Sequence, residues 1–102
     1  MGTVATYKPF DAAEYLQNEA ECIGYLEAII EEGGDAKTFA KALGDVARAR
    51  GMSQVSRDAE VARPSLYRAL SGEGNPELDT IMRVMKALGL KFTIAPADAV
   101  TS

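Results

Sequence analysis

Histidine and tryptophan are absent from this 102-residue chain, and cysteine occurs once. Without imidazole there is no His-based catalytic triad, no imidazole proton shuttle and none of the usual zinc ligand sets. The lone Cys22 makes neither an internal disulfide nor a Cys-rich metal site, so a reducing, cytoplasmic home is expected. No run approaches the ~18 apolar residues of a membrane span, and no charged-then-apolar leader points to export. Residues 1–6 fit the myristoylation pattern, which is too permissive to carry a conclusion. Metal, cofactor and membrane partner are all unexpected. What is present, 47% hydrophobic and 25% charged residues, describes one ordinary globular domain.

Charge is unevenly spread. The net charge is −4, but residues 1–35 hold −7, residues 36–72 hold +4 and residues 73–102 hold −1. A basic middle in an acidic protein suggests one surface for an anion and another for a basic partner. Scattered solvated charge would give the same arithmetic, so position must decide.

The lead-in to residue 10 lacks periodicity. Asp11 is placed to cap a short helix, with Glu14 three residues on. Ile23, Leu26, Ile29 and Ile30 form an apolar stripe on a helix of about residues 20–32, which Gly33 and Gly34 end. Asp35 caps the next helix, where Phe39, Leu43, Val46 and Ala47 repeat at helical spacing up to Gly51. Two short helices follow, one capped by Ser53 and running to Ala59, the other from Arg63 to Leu70 with Pro64 in its first turn. Asn75 and Pro76 open a last helix bearing Leu78, Ile81, Met82, Met85 and Leu88, closed by Gly89. Lys91, Phe92, Thr93 and Ile94 alternate polar and apolar, as a short strand does, although a frayed tail would read the same. A lone strand would pair with its symmetry mate in a homodimer. The expected fold is all-α: about six short helices and one C-terminal strand.

Residues 52–70 have the layout of a helix-turn-helix. Val55, Ala59, Val61, Leu66 and Leu70 make an apolar wedge, and small Ser56 and Ala59 permit close helix approach. Arg63, Pro64, Tyr67 and Arg68 then face away from the core, where a helix in the major groove meets base edges. The two arginines suit guanine or phosphate. Tyr67 is suited either to stacking on sugar or to covering the wedge, and Pro64 more to shaping the helix entry than to reading a base. Gln54 is a phosphate donor at the start of the first short helix. Ser65 and Ser71 are further phosphate candidates, and Asn75 reads as a helix cap that still reaches phosphate. Arg48, Arg50 and Arg57 supply diffuse positive field.

Residues 36–95 resemble the lambda-repressor-like helix-turn-helix class. Two phrases are more specific: Ala42-Leu43-Gly44-Asp45-Val46-Ala47-Arg48-Ala49-Arg50-Gly51-Met52-Ser53-Gln54 and Ser65-Leu66-Tyr67-Arg68-Ala69-Leu70-Ser71-Gly72-Glu73-Gly74-Asn75-Pro76. Together with the lead-in Pro9-Phe10-Asp11-Ala12-Ala13-Glu14-Tyr15-Leu16, they are similar to the addiction-module antidote family, the HigA-like antitoxins. The resemblance implies an antitoxin that neutralises a small basic toxin of the RelE/ParE-like superfamily and represses its own operator DNA as a homodimer. Two positions depart from the family: Glu60 stands where a turn glycine is usual, and Ala62 where a serine cap is usual. A positive φ at Glu60 would cost on the order of 1 kcal/mol.

The expected organisation is an acidic helical extension at 1–34, a DNA-binding domain at 35–95 and a tail at 96–102. In the extension, Tyr15, Leu16, Ile23, Tyr25 and Leu26 either meet a basic toxin or pack on the domain, and Glu31 and Glu32 read as solvated. Mechanism is binding, not bond chemistry. A stand-alone repressor and a protein-interaction module with a vestigial helix-turn-helix are the competing readings.

Overall fold

The computed structural model describes residues 16–97. Among them lie five helices: α1 (Glu19–Glu31), α2 (Ala36–Arg50), α3 (Met52–Ala59), α4 (Arg63–Ala69) and α5 (Leu78–Ala87). The chain is all-helical there, with five helices rather than six. The helix expected from Asp11 and Glu14 begins outside the described residues, as does Tyr15.

Each helix starts for a local reason, and not always the expected one. Asn18 opens α1, its Oδ1 accepting the Glu21 amide at 2.8 Å. Asp35 opens α2 as expected, accepting the Thr38 amide at 2.9 Å and the Thr38 hydroxyl at 2.8 Å. Those bonds, the amide's first, hold the Asp35 carboxyl below its usual range. Ser53 does not cap α3. Gly51, at φ +119°, turns the chain directly from α2 into α3 and leaves Ser53 inside the first turn. Asn75 does not cap α5 either. The chain stays extended through Glu77 (ψ 139°), and α5 begins at Leu78.

The core gathers on α2. Leu43, Val46, Val55, Leu66, Val84 and Leu88 are its largest fully buried side chains. α1 packs on one side of α2 and α3 on another, while α5 supports α3 and α4. Two apolar stripes are rotated from their expected settings. On α1 the inward line is Cys22, Tyr25, Leu26 and Ile29, so Ile23 and Ile30 face solvent at 38% and 55% exposure. On α5 it is Ile81, Val84, Met85 and Leu88, leaving Leu78 and Met82 exposed. Burial pushes the Cys22 thiol up, away from the reactive thiolate.

No strand forms at residues 91–94, since a ladder needs a second strand and the described chain brings none alongside. The segment lies exposed, with the Phe92 ring packed on Phe39 at 5.8 Å between centroids. No helix among the described residues is long and apolar enough to cross a membrane.

Two contacts hold the bundle's seams. At Gly44, α2 passes so near the end of α4 that an added Cβ would lie 2.9 Å from the Leu70 carbonyl oxygen. Between α1 and α2, the Tyr25 hydroxyl donates to Asp45 Oδ2 at 2.6 Å, and Asp45 Oδ1 takes Arg48 at 2.8 Å. Gly44→Ala is expected to destabilise by about 1–2 kcal/mol in chemical denaturation, because overpacking outweighs alanine's better helix propensity. Burial, and then the bond to Asp45, push Tyr25 from 10.0 up to about 12. The stability this phenol contributes is complete below the ordinary tyrosine value and is lost as pH rises through the folded one. In an ultraviolet pH titration Tyr25 should ionise near pH 12, above the ordinary tyrosine range. Tyr25→Phe should remove that step.

Candidate functional site

α3 and α4 are both short, eight and seven residues, and the turn between them decides how they cross. The turn is closed by backbone bonds from Glu60 N to the Arg57 carbonyl (3.2 Å) and from Val61 N to the Ser56 carbonyl (3.1 Å). The Ser56 hydroxyl adds a bond to the Val61 carbonyl at 2.5 Å. This closure needs a left-handed residue, and Glu60 supplies it at φ 59°, ψ 44°. The strain foreseen from a non-glycine turn is therefore present. Ala62 leaves α4 without a side-chain cap, as its missing acceptor dictates. The wedge closes as expected: Val55, Ala59, Leu66 and Leu70 are buried and Val61 packs against them.

Arg63, Pro64, Ser65, Tyr67 and Arg68 are all exposed on α4. Arg63 is held in place. It donates to Ser53 Oγ at 3.1 Å and to the Tyr67 hydroxyl at 3.2 Å, with its guanidinium carbon 5.7 Å from the centre of the Tyr67 ring. Each contact is modest in water, about 0.5–1 kcal/mol for an exposed cation–π pair. Together they bridge α3 to α4. Sequence reasoning missed Ser53 in this role, because a serine ten residues from its arginine matches no local spacing.

Gln54 is more engaged than expected. Its amide nitrogen donates to both Asp58 oxygens at 3.0 and 2.9 Å, and its oxygen accepts from Arg57 at 2.8 Å. Ser71 is folded back on the chain, donating to the Arg68 carbonyl at 3.0 Å and accepting the Glu73 amide at 3.1 Å. Ser65, Arg68 and Asn75 share a shallow groove with Pro76, Glu77 and Thr80. The structure thus gathers Arg63, Tyr67 and Ser53 in one cluster, Gln54 with Asp58 and Arg57 in a second, and Ser65, Arg68 and Asn75 in a third. Of the diffuse cations, Arg50 donates to the Leu88 carbonyl at 3.3 Å, and Arg48 and Arg57 are paired as above. Arg83, on α5, reaches the Glu60 carbonyl at 3.5 Å and pairs with Asp79 at 3.1 Å.

Among the described residues the architecture is a small all-helical bundle, with exposed Arg63 and Arg68 on a short helix. Residues 6–96 match the family described as "Probable addiction module antidote protein", and the chain belongs to that family. It is 52% identical over 87 residues to a protein of Haemophilus influenzae described as "Uncharacterized protein", a match covering 85% of this chain and 89% of the relative. No solved structure matches it.

Glu60 sets an expected outcome. Glu60→Gly should raise stability by about 0.5–1 kcal/mol, or several degrees in a thermal melt, by removing the left-handed Cβ. A melting temperature at or below wild type would show that the turn carries no such strain.

Proposed function

We propose that this protein is the antidote of an addiction module, neutralising a basic RelE/ParE-like toxin and, as a homodimer, repressing its own operator in the cytoplasm. Membership of the antidote family over residues 6–96 carries the reading. In it, α3 and α4 act as a lambda-repressor-like helix-turn-helix of the HigA-like kind. α4 lies in the major groove, with Arg63 and Arg68 on guanine or phosphate and Tyr67 and Pro64 along the sugar and methyl wall. Ser65, Ser71 and Asn75 meet the backbone beside Arg68. Gln54 exchanges Asp58 for a phosphate. Residues 35–95 are the DNA-binding domain, 1–34 the toxin-facing extension and 96–102 the tail.

The dimer joins through the C-terminal quarter of the chain. Leu78 and Met82 are 67% and 52% exposed on α5 and Ile94 is wholly exposed, an apolar surface that suits a second copy. Residues 91–94 pair there with their symmetry mate.

A gel shift on the protein's own promoter tests the duplex half of this reading. Arg63→Ala and Arg68→Ala should each cost about 1–3 kcal/mol of operator affinity if the residue grips a base. With six to ten phosphate contacts, affinity should fall on the order of 10³–10⁵ between about 50 and 200 mM salt. Unchanged affinity in both variants, or no binding by the wild type at low salt, would leave an antidote that does not read DNA.

A further inference from the structure

α1 turns an unused face outward. Its inner line of Cys22, Tyr25, Leu26 and Ile29 already seats it on the bundle. On the flank beside Leu26, Ile23 and Ile30 stand 38% and 55% exposed, two helical turns apart. Glu19, Glu27 and Glu31, all exposed, frame the strip at helical spacing, and the helix holds no basic residue. Single exposed apolar residues are ordinary surface. Two isoleucines on one line, on a helix whose own charged residues are all acids, form a half-exposed apolar strip of defined charge sign.

We propose that this outer face of α1 holds the antidote's protein partner, whose matching surface is basic and carries apolar side chains. The proposal rests on the antidote reading and assigns its toxin-binding surface. Charge selects the occupant. A second copy docked face to face would set acid against acid, and a nucleic acid would be repelled by the same carboxylates. A cationic protein gains twice: carboxylates steer and orient it, and isoleucine burial retains it.

The test uses the full chain and, as probe, the purified short basic protein encoded by the adjacent reading frame, titrated by calorimetry. The double variant Ile23→Ser/Ile30→Ser and the triple variant Glu19→Gln/Glu27→Gln/Glu31→Gln should each lose about tenfold or more in affinity. The triple variant should also show a flatter salt dependence. Circular dichroism and thermal melts control for folding, and Arg63→Ala/Arg68→Ala should bind the probe like wild type. If wild type binds and both α1 variants bind equally well, the surface is wrong while the antidote reading stands. If wild type does not bind the probe, the antidote reading fails and takes the surface with it. If Ile23→Ser/Ile30→Ser instead abolishes self-association of the wild type, a second copy covers the strip and the proposal is overturned.

Discussion

The burial of Leu66 fixes the direction in which α4 faces. A seven-residue helix is too short to persist alone, since isolated helices below ~12–15 residues are marginal in water. Its order comes from tertiary packing, with Leu66 fully buried and Leu70 nearly so. With those two inward, 3.6 residues per turn place Pro64 and Arg68 opposite the core and Arg63 and Tyr67 together on one flank. That flank is the one from which Arg63 reaches Ser53 on α3. Truncating such a leucine typically costs about 2–5 kcal/mol. Here the loss would also release the cationic ridge, so packing and site are one constraint. Gly44 belongs to it too, because only a residue without a Cβ lets α2 and the end of α4 approach so closely.

The charges near that ridge are arranged for exchange rather than for permanent pairing. Arg57 donates to Gln54 and Gln54 to Asp58 in an exposed chain, and helix-surface pairs of this kind are worth about 0.2–0.5 kcal/mol each. Any anion presenting two oxygens competes with Asp58 on nearly equal terms. The Arg63 contacts differ in kind. Two hydrogen bonds and an aromatic face hold its guanidinium, which lowers the entropy lost when it meets a planar acceptor. Net charge of −4 sets the background against which a local +4 must act, and the acids responsible lie largely before residue 36. Among the described residues, Glu19, Glu21, Glu27 and Glu31 lie on α1, whereas the seven bases of residues 36–72 lie on α2 through α4.

Legibility in the sequence followed the range of the interaction. The Asp35 cap, the Gly51 stop, the α3–α4 wedge and the solvated Glu31 and Glu32 depend on neighbours within a few residues and were readable. The helix starts at Met52 and Leu78 were not, because Ser53 and Asn75 are equally good caps on paper. A glycine at positive φ set the first boundary, and the chain staying extended through Glu77 set the second. The rotation of the α1 and α5 stripes was hidden for another reason. Ile23, Ile30, Leu78 and Met82 are as apolar as the residues that won the inward places, and only the shape of α2 and α3 discriminates between them. The Ser53–Arg63 bridge and the Tyr25–Asp45 bond join residues ten and twenty positions apart, beyond any local pattern. At the C-terminus the alternation at 91–94 was visible, but alternation supplies only half of a ladder.

The rotated stripe on α1 also bears on what that helix is for. Seating on α2 is already provided by Cys22 and Leu26 in the core, by Ile29 beside them and by the short bond from Tyr25. Nothing in that seating requires isoleucine at 23 or 30. A β-branched residue gains no helix propensity over a polar straight-chain one and leaves apolar surface in water. Burying such a side chain fully is worth about 1.5–3 kcal/mol, of which the isolated chain collects only part. Glutamates beside it keep the exposed strip soluble and discourage pairing with another acidic chain, which is how a surface is held open for a cationic one. The two isoleucines thus keep apolar area still to be buried, which is what the face proposed for a partner requires.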